Sequence, residues 1–206
     1  MSIDKKEALA SLIYIVEKHK DYMEFASGLK SKGAADRKRS LASVVLRSCS
    51  IGDLNVLTLA YQAGGDLEAR DTLGHTPAHR AASNDWLDCL KFLAEKKINL
   101  EARNFTQHTP AHEAAFHNSL GCLRFLAEQN VDIKATDSEG RTLAHMTAYQ
   151  NSLACLRFLA EQKVDLETKN NNGNSPVNLA EMLGNHDIVD FFKDFVAKNK
   201  HIDPTA

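Results

Sequence analysis

Two residue types recur at a spacing that could serve metal or thiol chemistry. Three histidines and three cysteines each recur at one constant step along the chain: His79, His112 and His145, and Cys89, Cys122 and Cys155. Imidazole nitrogens and thiolates are the ligands that zinc favours in proteins. Thiols also pair as disulfides in oxidising compartments. Whether the two series bind a metal, form disulfides or have a structural role depends on where the surrounding helices and turns place them.

A third stretch is close to a zinc-protease motif. The segment 112–117 reads His-Glu-Ala-Ala-Phe-His, whereas the His-Glu-x-x-His motif needs histidines four residues apart on one face of a helix. Here the step is five residues, which places the second imidazole on another face. The sequence also has no glycine-rich phosphate loop, no serine elbow and no carboxylates paired in a common frame. We therefore expect no catalytic residue, no metal and no cofactor, and we predict that the protein is not an enzyme.

The histidines and cysteines belong to two segments that repeat in one register. The histidine segment reads Thr76-Pro77-Ala78-His79, Thr109-Pro110-Ala111-His112 and Thr142-Leu143-Ala144-His145. The cysteine segment, Cys-Leu-Lys/Arg-Phe-Leu-Ala-Glu, begins at Cys89, Cys122 and Cys155. This shared period and the Thr-Pro-x-His signature resemble the ankyrin repeat, here with Ala in place of the usual Leu. The resemblance covers about four-fifths of the chain.

This resemblance implies an all-α fold, an ankyrin-repeat solenoid of stacked helix-turn-helix units with short hairpin loops, preceded by an N-terminal helical cap. We expect a helical segment and linker at residues 1–37, a repeat domain at 38–200 and a tail at 201–206. The repeats are expected at 38–70, 71–103, 104–136, 137–169 and 170–200. The outer two depart from the motif, as units with one face in solvent do.

The repeat geometry argues against a metal site and against disulfides. Equivalent residues of neighbouring units lie about 8 to 10 Å apart, too far for one zinc ion with bonds near 2 Å. A disulfide needs Cα atoms within about 7 Å. We therefore expect the cysteines to be small core residues. The histidines should be buried and hydrogen bonded to loops and to the motif threonine, which the resemblance also implies.

Local signals within each unit predict a helix pair. A threonine cap followed by proline starts the first helix. Residues that tolerate the left-handed conformation then interrupt the chain at Asp85, Asn118, Asn151 and Gly184. The second helix follows with a recurring Leu/Phe pattern that predicts the core.

The N-terminal region has an amphipathic pattern over residues 3–32, which predicts one long helix or two short ones. Two roles stay open: a cap over the first repeat, which we favour because terminal repeats need covering, and a dimerisation or partner helix. Residues 33–40 are expected to form a linker. The basic cluster Arg37-Lys38-Arg39-Ser40 within it is interpreted as solvated, with a nuclear signal or a kinase site as alternatives.

Charge and hydropathy exclude two classes of ligand. Residues 1–39 hold nine Lys/Arg against six Asp/Glu, and residues 40–206 hold sixteen against twenty-one. The acidic balance of the larger part argues against nucleic acid, because phosphate neutralisation supplies most of that affinity. The sequence has no apolar run of about eighteen residues, the length that a membrane span needs. We expect a cytoplasmic location, with the nucleus, or a host cytosol for an effector, as alternatives.

The resemblance also implies that hairpin tips and the exposed side of each first helix line a concave groove that contacts partners. The expected contact residues are Leu73, His75, Arg80, Phe105, His108, Glu113, Phe116, His117, Arg141, Met146, Tyr149 and Met182. Phe116, Tyr149 and Met182 recur in register as an apolar stripe, either anchoring a partner or packing on loops and on each other. Trp86 is expected on the outer side, where it shields a loop or marks a second contact surface.

These features predict a non-catalytic protein–protein interaction module that acts as an adaptor, scaffold or inhibitor and binds another protein through the groove. We expect a monomer. One alternative is a structural or regulatory subunit that oligomerises through residues 3–32. Another is a bacterial or viral effector that mimics host ankyrin proteins.

Overall fold

The computed structural model describes residues 4–200 of the chain, with side chains to residue 197. The chain divides into two compact units, Met1–Phe105 and Thr106–Ala206. The regular structure of the described residues is helical, apart from an isolated antiparallel bridge between Thr136 and Thr142. The predicted all-α class is therefore confirmed. Over residues 4–200, no helix combines the length and the apolar character needed to cross a bilayer.

The first unit contains six α-helices and one 3-10 turn among its described residues. They are α1 (Lys5–Lys18), the 3-10 turn (Met23–Phe25), α2 (Ala26–Lys30), α3 (Ala34–Ile51), α4 (Leu54–Gln62), α5 (Pro77–Ser83) and α6 (Leu87–Glu95). Helix α3 packs against both α4 and α5, and α4 packs against α6. The pair of α5 and α6 therefore covers the pair of α3 and α4.

The second unit contains three helix pairs in its described part. They are α7 (Pro110–Phe116) with α8 (Leu120–Glu128), α9 (Leu143–Tyr149) with α10 (Leu153–Glu161), and α11 (Pro176–Leu183) with α12 (His186–Lys200). Helix α9 lies between α7 and α11, and α10 contacts both α8 and α12. Six leucines and three cysteines recur in register as buried residues of the second helices in both units: Cys89, Leu90, Leu93, Cys122, Leu123, Leu126, Cys155, Leu156 and Leu159. This set confirms the cysteines and two leucines of each repeat as core. The phenylalanines of the predicted pattern differ, because Phe92 and Phe125 are half-buried and Phe158 is buried.

The first helices start and stop where local sequence signals place them. Thr76, Thr109 and Thr142 form capping boxes with the motif histidines, and proline takes the first position in α5 and α7. The residues after these helices have left-handed backbones: Asp85, Asn118, Asn151 and Gly184, with φ of 55°, 56°, 55° and 73°. Both predictions are confirmed. A second left-handed series, missed at the sequence level, follows the second helices at Lys97, Asn130 and Lys163.

The N-terminal segment folds as two short helices, and the predicted linker at residues 33–40 is wrong. Helix α3 begins at Ala34, directly after Gly33, so the basic cluster lies within a helix. The physical reason is that α3 extends by a turn along α2, with which it packs. Helix α1 packs against α4, and Tyr22 is buried with its hydroxyl 3.3 Å from Asp53, the residue that caps α4. These contacts favour the cap over a separate partner helix.

Trp86 shields the turn between α3 and α4. Its indole N–H donates to the carbonyl of Ser50 at 3.1 Å, and 41% of the residue stays exposed. The ring lies directly over Gly52, whose φ is 78°, so that a Cβ at Gly52 would lie 2.5 Å from the indole. Of the two interpretations of Trp86, shielding of a loop is the one that these contacts support.

Replacing Gly52 with alanine is expected to lower the free energy of unfolding by about 2 kcal/mol, because a left-handed L-residue alone costs about 1–2 kcal/mol and the methyl group would also collide with Trp86. Gly184→Ala is the matched control, since Gly184 has φ of 73° and a methyl group there would meet no atom within 4 Å. It should cost about 1 kcal/mol. Urea unfolding followed by circular dichroism measures both. Equal costs would mean that the indole does not constrain the turn.

Candidate functional site

An Asp or Asn at the start of the repeat shapes three of the hairpin tips. Its Oδ1 accepts the backbone N–H groups of the residues two and four positions further along, at 2.8–3.0 Å, in three of the hairpins: Asp71, Asp137 and Asn170. Such a side chain stabilises a turn by replacing a backbone partner. The sequence carries the signal, since an Asp or Asn opens every repeat from Asp71 onward, although this turn role was not predicted.

Asp137 is the centre of one hairpin tip of the second unit. Its side chain is fully buried, and Arg141 Nε donates to its Oδ2 at 2.7 Å. Burial alone would raise the pKa of Asp137, but hydrogen bonds from the backbone and the guanidinium of Arg141 outweigh it and lower the pKa. Asp137 is therefore a buried carboxylate that fixes both the backbone of its turn and the guanidinium of Arg141.

His108 connects this tip to helix α7. Its Nε2 lies 3.2 Å from Asp137 Oδ2, and its Nδ1 lies 3.0 Å from Glu113 Oε1. His117 approaches the other oxygen of Glu113 at 3.9 Å. A ring with a carboxylate at each nitrogen is held in one orientation, so His108 braces the tip against helix α7.

The first unit has a similar arrangement around Asp71. The guanidinium of Arg80 pairs with Asp71 Oδ2, and His75 Nδ1 lies 3.4 Å from the same oxygen. Burial would raise the pKa of Asp71, but the turn N–H groups of Leu73 and His75, together with Arg80, lower it. Arg80 and His75 thus help to hold the tip, and Arg80 remains partly exposed.

The predicted apolar stripe lies in the second unit and is exposed. Tyr149 is 47% exposed, Met182 is 72% exposed, and Phe116 is half-buried. The rings of Phe116 and Tyr149 stack with centroids 5.7 Å apart and planes 24° apart, and His117 packs edge-on against Phe116 at 5.0 Å. The two rings therefore pack on each other, as one of the two interpretations expects. Tyr149 also keeps about half its surface in solvent, and the anchoring of a partner stays a prediction.

Two apolar side chains stand at the tips of the first unit. Leu73 is 59% exposed and Phe105 is 72% exposed, and the N–H of Phe105 donates to the carbonyl of Leu73 at 3.1 Å. The Phe105 ring covers Gly74, where a Cβ would lie 2.8 Å from Cδ1 of that ring. These two residues are the most exposed members of the predicted contact set in this unit.

Two of the predicted contact residues are corrected by their burial. Met146 is 2% exposed, because its helix α9 is packed between α7 and α11. Glu113 is 9% exposed and its carboxylate faces His108 and His117. Neither side chain offers a surface to a partner. Glu113 instead positions the two histidines beside the stripe.

The recurring histidines and cysteines are structural. His79, His112 and His145 are fully buried, and in each the Nδ1 lies 2.9 Å from the hydroxyl of the motif threonine. The cysteines are buried thiols rather than disulfides, and burial raises the pKa of Cys89 to about 11. Within residues 4–200, no group of three or more His, Cys, Asp or Glu side chains is arranged to hold a metal ion.

His145 makes the stability of the second unit depend on pH. Its Nδ1 accepts the N–H of Thr142 at 3.1 Å, and its Nε2 donates to the carbonyl of Asn174 at 2.9 Å, a pattern that only the neutral ring satisfies. Burial lowers the pKa of His145 below 6.5. The unfolded chain therefore binds a proton first, so this contribution to stability is present above pH 6.5 and is lost as the pH falls below it.

We expect His145→Asn to reduce this pH dependence. Asn178 already occupies the equivalent position in the last repeat, where its Oδ1 accepts the N–H of Ser175 at 3.2 Å. At neutral pH the variant should have a free energy of unfolding about 1 kcal/mol below that of the wild type, because it lacks the Nε2 hydrogen bond. On acidification its free energy of unfolding should fall less than that of the wild type. Urea unfolding at a series of pH values measures both slopes. Identical slopes would contradict the assignment.

The fold and this surface define a class of helical-repeat protein in which helix pairs stack in register and present hairpin tips and first-helix side chains to solvent. A family model described as Ankyrin repeats (3 copies) matches residues 45–137 and 129–203. The chain belongs to the ankyrin repeat family, whose repeats are in general protein–protein interaction modules. No curated protein matches the chain at a significant level.

Proposed function

We propose that the chain is a non-catalytic adaptor, scaffold or inhibitor that binds a partner protein, and that the stripe of Phe116, Tyr149 and Met182 anchors that partner. The observation that carries the proposal is the stacked pair of Phe116 and Tyr149, which leaves Tyr149 47% exposed beside a 72% exposed Met182. Aromatic residues and methionine are enriched at protein interfaces, and large aromatics dominate their energetics.

The surroundings of the stripe support a pre-organised surface. Asp137 fixes the tip of its hairpin, and His108 and Glu113 connect that tip to α7. His117, on the end of the same helix, packs edge-on against Phe116. A surface whose side chains are already held in place loses less conformational entropy on binding. The exposed polar tip residues Ser138, Glu139, Asn171 and Asn172 would supply the polar rim that surrounds an apolar centre in protein interfaces.

Affinity capture followed by mass spectrometry tests the proposal. The tagged wild-type chain is compared with Phe116→Ser/Tyr149→Ser, and with Tyr14→Ser/Tyr61→Ser as a matched pair of exposed aromatics outside the stripe. We expect a protein that the wild type and the control capture and that the stripe variant does not. Circular dichroism of all three chains verifies the fold. Capture that survives loss of both stripe rings would overturn the assignment of the stripe.

A further inference from the structure

One ring nitrogen of His108 faces both a hydrogen-bond acceptor and a hydrogen-bond donor. Its Nε2 lies 3.2 Å from the carboxylate oxygen Oδ2 of Asp137 and 3.4 Å from the guanidinium nitrogen Nη2 of Arg141. The other ring nitrogen, Nδ1, lies 3.0 Å from Glu113 Oε1. An ionised carboxylate accepts hydrogen bonds and a guanidinium donates them. Whether Nε2 carries a proton therefore decides which of its two neighbours it bonds.

The neutral ring of His108 satisfies most neighbours when its proton lies on Nδ1. A neutral imidazole has a single N–H, which then donates to Glu113, while Nε2 accepts a hydrogen bond from Arg141 Nη2. The other tautomer, with the proton on Nε2, bonds to Asp137 but faces Glu113 with a second acceptor. In the favoured tautomer Nε2 and Asp137 Oδ2 are two acceptors 3.2 Å apart with no hydrogen between them.

The charged ring of His108 bonds to both carboxylates. Nδ1 then donates to Glu113 and Nε2 donates to Asp137, and such charge-assisted hydrogen bonds are about twice as strong as neutral ones. Arg141 keeps its Nε bond to Asp137 at 2.7 Å, but its Nη2 loses the acceptor that the neutral ring offers. The two carboxylates outnumber the guanidinium of Arg141 by one charge, so a proton on His108 also balances the charges of these four side chains.

Two other histidines near this cluster favour their neutral forms. The ring of His112 stacks on that of His108 with centroids 5.5 Å apart. Its Nδ1 accepts the backbone N–H of Thr109 at 3.2 Å, a bond that a proton on Nδ1 would remove. On α9, burial lowers the pKa of His145, which interacts electrostatically with Asp137.

Two further charged or titratable side chains contact the cluster at its exposed ends. His117 lies 3.9 Å from the second oxygen of Glu113 and is 44% exposed. Glu139 lies 3.4 Å from Arg141 and is 55% exposed. Solvent and salt screen the charges of such exposed groups. The proton that rearranges the hydrogen bonds of the cluster is therefore assigned to His108.

We propose that His108 is a proton-driven switch in the hairpin tip that Asp137 shapes. One proton moves the hydrogen bond of Nε2 from Arg141 to Asp137, so that both ring nitrogens then join the tip to α7 through carboxylates. The same proton releases an N–H of Arg141, a predicted contact residue whose side chain is 21% exposed. The use of that N–H by a partner rests on the proposed function, whereas the switch itself does not.

Nitrogen NMR of the histidine rings in the full chain tests the switch without a partner, so the result is independent of whether the stripe binds one. We expect His108 to carry a proton on Nδ1 alone at about pH 8 and on both nitrogens at about pH 5, the range over which histidines change charge. The His108→Gln variant identifies its signals, and circular dichroism verifies the fold at both pH values. A ring in the same state at both, or one protonated on Nε2 at the higher pH, overturns the proposal.

A pair of carboxylate variants tests the partner of Nδ1. Glu113→Gln should lower the pH at which His108 takes up its proton by about one pH unit, because a nearby opposite charge favours the charged ring. Glu139→Gln is the matched control, since it removes the exposed carboxylate beside Arg141, and it should leave that pH unchanged. Equal shifts in the two variants, or no shift in Glu113→Gln, contradict the proposed pairing.

Discussion

Replacing Asp137 with alanine is expected to lower the free energy of unfolding by about 3 kcal/mol, the scale of breaking a buried charge pair. The carboxylate accepts the backbone N–H groups of Glu139 and Arg141 and the guanidinium of Arg141, and its side chain is fully buried. Alanine would leave these donors without their partner in a site that water reaches poorly. Urea unfolding of the full chain measures the loss.

Asp137→Asn is the matched control for this prediction. Asn170 holds the same turn in the next repeat through an amide oxygen, so asparagine should keep the two backbone bonds. It loses the ion pair with Arg141 and places an amide N–H against that guanidinium, so the loss should be smaller than in the alanine variant, at about 2 kcal/mol. Because the pKa of Asp137 is lowered in the fold, its charge stabilises the protein above the ordinary value of 3.8 and this contribution disappears as the pH falls below it. Similar losses for the alanine and asparagine variants would mean that the turn does not depend on Oδ1.

The stripe variant Phe116→Ser/Tyr149→Ser is expected to weaken binding of the captured partner by about 100-fold or more. Interface anchors typically cost at least about 2 kcal/mol each when truncated, which is about 30-fold in affinity. The two rings stack at 5.7 Å, so removing one also releases the other, and the single losses should add up to more than the double loss. Isothermal titration calorimetry of the two single variants and the double variant measures this coupling.

Tyr149→Phe separates the ring from its hydroxyl in the same titration. The variant keeps the stack on Phe116 and the exposed apolar surface, and it should bind within about threefold of wild type, because the ring supplies most of the contact area. A large loss of affinity in Tyr149→Phe would mean that a hydrogen bond of the hydroxyl, and not ring packing, supplies most of the binding energy. Purely additive single losses would mean that the partner does not contact the two rings as one surface.

The sequence predicted those parts of the fold that depend on local chemistry. The threonine caps and the left-handed breaks at Asp85, Asn118, Asn151 and Gly184 follow from backbone preferences that a few residues determine. The buried leucines of the second helices follow from a repeating apolar pattern. These features recur in several repeats, so each repeat supplied an independent test of the same local signal.

Features that depend on packing between elements were less accessible. The residue type at the position of Met146 varies between repeats, as at a contact position. Met146 is nevertheless buried, because α9 has a helix on both sides. The start of α3 at Ala34 depends on its packing with α2, although Ala34 and Ala35 are good helix formers and were a usable signal. The pairing of His108 with Glu113 and Asp137 joins a hairpin to a helix. The spacing of residues within one repeat does not indicate this pairing.

A photo-crosslinking amino acid in place of Tyr149 tests most directly whether the stripe contacts the partner. The same amino acid in place of Arg124, an exposed residue on the second helix α8, is the control on another face of the second unit. We predict that irradiation joins the partner covalently to the chain labelled at position 149 and not to the chain labelled at position 124. Crosslinking from position 124 without crosslinking from position 149 would contradict the stripe as the binding surface.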